Sequence, residues 1–160
     1  MALGCNLAGA YTSREALLED ALAALPREGL DVLACSSWWR SAAWPDPEGP
    51  EYLNGVAIVR TALSPAETLA ALHRVEARFG RARGAANAAR TLDLDLVAHG
   101  RIVLDGELIV PHPRAHERLF VMGPLTEIAP GWRHPLIGEA ASGLASVATV
   151  GRDARSIAKV

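Results

Sequence analysis

The chain has 160 residues, a mass of 16.9 kDa and 50% hydrophobic residues, which is enough to bury the core of one domain. Sixteen basic and eighteen acidic residues give a net charge of −2, which excludes the cationic surface of a nonspecific nucleic-acid or membrane binder. Two cysteines are too few for a disulfide framework, and no apolar stretch reaches the roughly 18 residues of a membrane span. We therefore expect residues 1–160 to form a single cytoplasmic domain that binds neither nucleic acid nor membrane.

The first half of the chain alternates helix and strand signals. Residues 12–15 resemble a capping box before apolar residues at helical spacing, and they predict a helix that ends near Pro26. Residues 30–40 are rich in β-branched, small and aromatic side chains, and predict a strand. A loop rich in proline is predicted over 41–50, followed by a second, antiparallel strand over 52–61.

The second half carries the strongest local signals. Residues 64–67 combine an N-cap serine, a proline at the first helical position and a glutamate at the third, and predict a helix that runs to about Phe79. Residues 91–96 alternate strictly between apolar and polar side chains and predict a half-buried strand. A small hairpin over 102–110 and a short helix near 113–120 are predicted to follow.

The order strand, helix, strand, strand, helix, strand predicts an α+β fold. We expect a ferredoxin-like, split βαβ antiparallel sheet with helices packed on one face, plus the small added hairpin. The first strand is the weakest element, because only Met1, Ala2 and Leu3 precede Gly4, whereas strands average about 5–6 residues. Such a stub would shorten a central strand of this fold.

Asp93 and Asp95 are the first candidates for chemistry. They lie two residues apart on a predicted strand, so both carboxylates leave the same face, with backbones roughly 6–7 Å apart. They fit either an acidic, solvated surface or a pair of oxygen ligands for Mg²⁺, which needs only one or two carboxylates plus substrate phosphates. Arginines flank the pair on both sides: Arg81, Arg83, Arg90, Arg114 and Arg118. Carboxylates that hold a metal beside arginines can neutralise a polyphosphate during phosphoryl transfer.

Five motifs occur in order over nearly the whole chain. Three of them are Gly-Cys-Asn-Leu at 4–7, Ser-Ser-Trp-Trp-Arg at 36–40 and Tyr-Leu-Asn at 52–54. The most specific are Arg-Thr-Leu-Asp-Leu-Asp-Leu at 90–96 and Pro-His-Pro-Arg-Ala-His-Glu-Arg at 111–118. Together they resemble the 6-hydroxymethyl-7,8-dihydropterin pyrophosphokinase family. The resemblance implies transfer of the β,γ-diphosphate of ATP to the hydroxymethyl group of 6-hydroxymethyl-7,8-dihydropterin, with release of AMP, in tetrahydrofolate biosynthesis.

The resemblance also implies a role for each matching residue. Asp93 and Asp95 would bind two Mg²⁺ ions together with ATP, and would act in catalysis with Arg81 and Arg90. The implied ATP contacts are Glu76, Arg83, His112 and Arg118. The implied pterin contacts are Asn6, Ser41, Ala42, Trp44, Tyr52, Asn54 and Phe120. The expected partners are therefore ATP and a reduced pterin, bound by an enzyme that we expect to be a monomer.

The short first strand and two further departures from the family pattern leave alternatives open. Residues 87–89 are Asn-Ala-Ala where the family commonly has Trp-Gly-Pro, and residues 41–43 are Ser-Ala-Ala where it has Thr-Pro-Pro. One alternative is a catalytically weakened family member that serves as a nucleotide-binding or protein-binding module. The other is a different Mg²⁺-dependent nucleotidyl or phosphoryl transferase with paired aspartates on the same kind of sheet.

Overall fold

The computed structural model describes residues 1–43, 47–80 and 91–157. The first elements in chain order are β1 (Ala2–Cys5), α1 (Arg14–Ala24), β2 (Asp31–Cys35), β3 (Trp39–Ser41), β4 (Tyr52–Arg60) and α2 (Pro65–Arg78). The remaining elements are β5 (Asp93–Asp95), β6 (Leu104–Asp105), β7 (Ile109–Val110), α3 (Leu119–Ile128), α4 (Ala141–Val147) and β8 (Arg155–Ser156). Among the described helices, none is both long enough and apolar enough to cross a membrane.

One antiparallel sheet organises the chain. Its strand order is β5-β1-β4-β3-β8, and β2 also pairs with β4. The four-residue β1 is short, as the sequence predicts, but it is central, because it pairs with β4 on one side and with β5 on the other. β6 and β7 form a separate two-stranded hairpin. The predicted split βαβ sheet with an added hairpin is confirmed.

The starts of the first two helices follow from their capping residues. Ser13 Oγ accepts the N–H of Ala16 at the start of α1, and Ser64 and Glu67 form a reciprocal capping box at the start of α2. α2 ends before Gly80, which takes a left-handed φ of 81° that glycine adopts without the cost of a side chain. The predicted extent of α2 is confirmed to within one residue.

The strand predicted over 30–40 is interrupted in the structure. β2 ends at Cys35 and β3 begins at Trp39. Between them, Ser36 Oγ accepts the N–H of Val56 on β4 at 3.0 Å. A side-chain oxygen therefore takes the place of a backbone acceptor, and such local bonds compete with the regular ladder.

Helices cover both faces of the sheet, which corrects the prediction that they cover one face. α1 and α2 pack on the face that carries Leu3, Leu53 and Leu94. α3 and α4 pack on the opposite face, against Ala2 and Val56. The sequence missed this second layer because it predicted only a short helix near 113–120.

α3 is longer than predicted because tertiary packing overrides its local signals. It runs through Gly123 and Pro124, both of which disfavour a helix interior. The indole of Trp39 lies directly against Gly123, where a side-chain carbon would be only 2.6 Å from the ring. The glycine thus admits Trp39 between α3 and the sheet.

Candidate active site

A cleft of about 280 Å³ opens on the α3 face of the sheet, beside the first turn of that helix. The residues that line it come from four strands, from the region around the start of α3 and from the C-terminal segment. They are Ala2, Leu3, Gly4, Ser41, Ala42, Tyr52, Asn54, Asp93, Asp95, Arg114, Arg118, Phe120, Val121 and Val150. Eight of the predicted site residues are among them.

The cross-strand register fixes the spacing of side chains on the floor of the cleft. Asp93 on β5 pairs with Gly4 on β1, and Gly4 pairs with Asn54 on β4. Since neighbouring strands lie about 4.8 Å apart, the backbones of Asp93 and Asn54 are about 10 Å apart. Ala2 lies opposite Asp95 on the same floor. Gly4 and Ala2 carry almost no side chain. The space above β1, between the side chains of β5 and those of β4, therefore stays open.

One end of the cleft, which we call the charged end, carries Asp93, Asp95, Arg114 and Arg118. Both aspartates are half-buried, and the buried Leu94 between them points to the other face, so the predicted shared face is confirmed. Arg118 Nη1 lies 3.7 Å from Asp95 Oδ2. Arg114, to which the sequence assigned no role of its own, forms an ion pair with Glu117 at 3.2 Å.

The donor set at the charged end fits a divalent cation that takes further ligands from a bound substrate. Carboxylates are hard oxygen ligands, and Mg²⁺ is commonly held by one or two of them together with substrate phosphates and water. Within residues 1–43, 47–80 and 91–157, no group of three or more His, Cys, Asp or Glu side chains is placed to hold a metal ion.

Glu76 lies behind β5 and is not among the residues that line the cleft. Its side chain is buried, and its Oε1 accepts the N–H of Leu94 at 2.7 Å. β5 stands at the end of the strand order, so this bond satisfies a backbone donor of the strand that carries both aspartates. The resemblance implied an ATP contact for Glu76, whereas the structure shows a contact that holds β5.

His112 lies close to the charged end, although it is not one of the lining residues. Its Nδ1 accepts the N–H of Arg114 at 3.1 Å, so the proton of the neutral ring is on Nε2. Burial lowers the pKa of His112, Asp95 acts in the opposite direction, and Arg118 lowers the pKa further. The ring is therefore a neutral hydrogen-bond donor at neutral pH.

The other end of the cleft, which we call the ring end, is built from amide, hydroxyl and aromatic groups. Asn54 and Ser41 are buried, and Asn54 Nδ2 donates to Ser41 Oγ at 3.0 Å. Tyr52 pairs with Ser41 across β4 and β3 and adds a ring surface to this end, and Phe120 adds a second ring to the lining of the cleft. A slot with aromatic walls and a buried amide suits a flat heterocycle with a hydrogen-bonding edge.

Asn6 is the last of the predicted site residues that the structure describes, and it does not line this cleft. It is buried just after β1. Four others lie outside the described residues: Trp44, Arg81, Arg83 and Arg90. Conversely, the cleft includes Val150, which no sequence pattern signals, because only the folded chain brings the C-terminal segment next to Phe120.

Comparison with known proteins identifies the family. Residues 1–130 match the family described as 7,8-dihydro-6-hydroxymethylpterin-pyrophosphokinase (HPPK). A 2-amino-4-hydroxy-6-hydroxymethyldihydropteridine pyrophosphokinase of Synechocystis sp. is 46% identical over 112 residues, which are 69% of this chain and 57% of that protein. The protein of the same name from Pseudomonas aeruginosa is 39% identical over 136 residues, which are 84% of this chain and 82% of that protein.

Two further matches are to longer chains. The folic acid synthesis protein fol1 of Pneumocystis carinii is 34% identical over 139 residues, so the match spans 86% of this chain but 18% of that protein. A crystal structure of HPPK-DHPS in complex with substrates has a TM-score of 0.67 and covers 91% of this chain and 42% of that chain. At 12% identity this second likeness supports the fold alone. On the sequence matches, the chain belongs to the 7,8-dihydro-6-hydroxymethylpterin-pyrophosphokinase family.

Proposed function

We propose that the chain transfers the terminal diphosphate of ATP to the hydroxymethyl oxygen of 6-hydroxymethyl-7,8-dihydropterin and releases AMP. The observation that carries the proposal is the division of one cleft into a charged end and a ring end. A polyphosphate suits the first end and a flat heterocycle suits the second. An open floor of Gly4 and Ala2 between the ends leaves room for the two reacting groups to meet.

The ring end accounts for recognition of the pterin. Asn54 would pair with the hydrogen-bonding edge of the heterocycle, and its bond to Ser41 holds the amide in place for that contact. A site with buried polar groups rejects ligands that leave those groups unpaired. Tyr52 and Phe120 would contact the pterin faces.

The charged end accounts for recognition of the polyphosphate. Asp93 and Asp95 would hold two Mg²⁺ ions, which neutralise charge on the transferred group when they are bound with ATP. Arg118 and Arg114 would donate to phosphate oxygens, for which guanidinium groups are suited. From the resemblance, we also propose that Arg81, Arg83 and Arg90 contribute to this end.

Positioning accounts for most of the rate in this proposal. The pterin hydroxymethyl oxygen attacks the β-phosphorus of ATP, and the bond from that phosphorus to the α,β-bridging oxygen breaks. AMP leaves with the bridging oxygen, and the hydroxyl proton passes to solvent. The transition state of phosphoryl transfer is loose, so charge neutralisation and alignment matter more than a dedicated general base.

Product analysis tests the proposal directly. The protein is incubated with ATP, Mg²⁺ and the reduced pterin alcohol, and the products are separated by chromatography. We expect AMP and a pterin diphosphate in equal amounts, and no AMP when the pterin is left out. Formation of ADP, or AMP release that does not depend on the pterin, would contradict the proposal.

Replacement of Asp95 tests the role of the carboxylate pair. We expect Asp95→Ala to lower turnover by on the order of 10²–10³-fold, the scale reported for loss of one electrostatic contact to a transition state. Asp105→Ala is the matched control, because Asp105 is an exposed aspartate on β6 outside the cleft. Circular dichroism checks that both variants fold. Near-normal turnover of Asp95→Ala would remove the proposed metal role.

A further inference from the structure

The C-terminal segment, residues 149–157, contributes Val150 to the lining of the cleft, although it lies beyond the residues 1–130 that match the family. At its start, the N–H groups of Thr149 and Val150 donate to the carbonyl of Glu117, each at 3.0 Å. The carbonyl of Val150 accepts the N–H of Leu119, at the first residue of α3, at 2.9 Å. At its end, β8 pairs with β3. The segment is therefore anchored at both ends, beside α3 and beside β3.

Gly151 lies directly against Phe120, an aromatic residue in the lining of the cleft. Its φ of 68° is left-handed, and a side-chain carbon at this position would lie 2.4 Å from Phe120 Cδ1. Atoms do not approach that closely, so any side chain at Gly151 must displace the ring. The ring also contacts Arg118, whose guanidinium carbon is 5.8 Å from the ring centroid. The absence of a side chain at Gly151 thus fixes how far Phe120 stands from the cleft.

Asp153 holds another part of the cleft lining, at Ala42. Its Oδ2 accepts the N–H of Ala42 at 2.5 Å, and Ala42 and its neighbour Ser41 both line the ring end. The alanine side chain cannot form hydrogen bonds that would hold the backbone at Ala42. The charge-assisted bond to the Asp153 carboxylate, which belongs to another segment, holds this backbone in place. Ser41 in turn accepts from Asn54. Asp153 therefore supports the wall that carries the recognition groups.

We propose that Gly151 and Asp153 are positioning residues that determine specificity for the pterin. By fixing both Phe120 and Ala42, the C-terminal segment sets the shape of the slot that the flat ring enters. The inference rests on the proposed function, because it assigns this slot to the pterin. It adds to that function a segment and two residues that do not themselves contact the reacting atoms.

The first test compares Gly151→Ala with Gly138→Ala. Gly138 also has a left-handed φ, of 75°, but a side-chain carbon there meets nothing within 4 Å. Both variants therefore carry the same kind of backbone strain, and only Gly151→Ala pushes on Phe120. We expect Gly151→Ala to raise the KM for the pterin about tenfold, the scale of one misplaced aromatic contact, and to raise the KM for ATP less, through the contact between Phe120 and Arg118. The Kd of a pterin analogue, titrated by fluorescence with Mg²⁺ and a nonhydrolysable ATP analogue, should rise by the same factor.

The second test compares Asp153→Ala with Asp153→Asn. The alanine removes the acceptor of the Ala42 N–H and should raise the KM for the pterin about fivefold, with little change for ATP, whereas the asparagine keeps an acceptor oxygen and should stay near the wild type. A merely structural role would instead reduce the active fraction and affect both substrates equally. If Gly151→Ala does not fold, as judged by circular dichroism, the comparison of Asp153→Ala with Asp153→Asn tests the inference by itself.

The outcomes separate the inference from the proposed function. Wild-type protein that gives no pterin-dependent AMP overturns the proposed function, and this inference with it. Active wild-type protein whose Gly151→Ala and Asp153→Ala variants keep the wild-type KM for the pterin overturns the inference alone. An equal rise in the KM for ATP and in the KM for the pterin in these variants would also overturn the inference alone.

Discussion

β1 presents small residues to the cleft and apolar residues to the core, as its alternating side chains require. Gly4 faces the ring end, and a side-chain carbon there would lie 3.1 Å from Asn54 Oδ1. On the other face, Leu3 and Cys5 are buried in the core against α1 and α2. Burial raises the pKa of the Cys5 thiol to about 12, so the thiol stays protonated and serves as a packing residue.

At the scale of single residues, His134 predicts a pH dependence of stability. The side chain is buried, and its Nδ1 accepts the N–H groups of Leu136 and Ile137. Burial lowers the pKa of His134 in the folded protein, and nearby His116 lowers it further. As the pH falls below the ordinary value of 6.5, the unfolded chain takes up this proton before the folded protein does. We therefore expect the free energy of unfolding to decrease with falling pH in this range.

Urea unfolding of the wild type and of His134→Asn, at about pH 7.5 and about pH 5.5, measures this contribution. Asparagine can offer an acceptor oxygen in place of Nδ1 but does not titrate. The variant should therefore lose less unfolding free energy than the wild type between the two pH values. The same loss in both proteins would mean that other groups carry the pH dependence.

At the scale of elements, α2 and β5 depend on each other through Glu76. Glu76→Ala removes the acceptor of the buried Leu94 N–H, and we expect it to lower the free energy of unfolding by about 1–3 kcal/mol. Glu76→Gln keeps an acceptor oxygen and should therefore lower the free energy of unfolding by less. Urea unfolding measures the difference, and equal stability of the two variants would show that the Leu94 contact does not matter.

The sequence could predict some elements better than others. Some helices are specified by neighbouring residues in the chain, and others by packing against residues far away in the sequence. α2 could be predicted, since Ser64 and Glu67 act within its own first turn. α3 could not, since Gly123 and Pro124 disfavour a helix locally and only the packing of Trp39, from a distant strand, accounts for the glycine. Without α3 in the prediction, the second helical layer was missing as well.

The same distinction holds for the candidate site. The shared face of Asp93 and Asp95 follows from the two-residue period of a strand, and the sequence predicted it. The burial of Glu76 against Leu94 depends on how a helix docks at the end of a sheet, which residue spacing does not reveal. The place of Val150 in the cleft depends on a segment that returns to the sheet from the C-terminal side.

At the scale of the whole molecule, the sheet separates two cores with different relations to the cleft. The core that contains Leu72 lies on the face away from the cleft. The core that contains Met122 lies on the cleft's own face, and the adjacent Val121 lines the cleft. Glu127 in α3 ties this second layer to the strands, because its carboxylate accepts the N–H of Ser37 and the indole N–H of Trp39.

Large-to-small substitutions in the two cores should therefore differ in their effect on ligand binding. Leu72 and Met122 are both fully buried, and we expect Leu72→Ala and Met122→Ala each to lower the free energy of unfolding by about 2–5 kcal/mol. The rise in Tm on addition of Mg²⁺, a nonhydrolysable ATP analogue and a pterin analogue should persist in Leu72→Ala. This rise in Tm should be smaller in Met122→Ala. The cavity that the substitution leaves lies behind Phe120 and Val121, so these two lining residues are held less firmly and the ligands bind less tightly. Equal ligand-induced shifts in the two variants, measured by differential scanning fluorimetry, would show that the cleft does not depend on the core beneath α3.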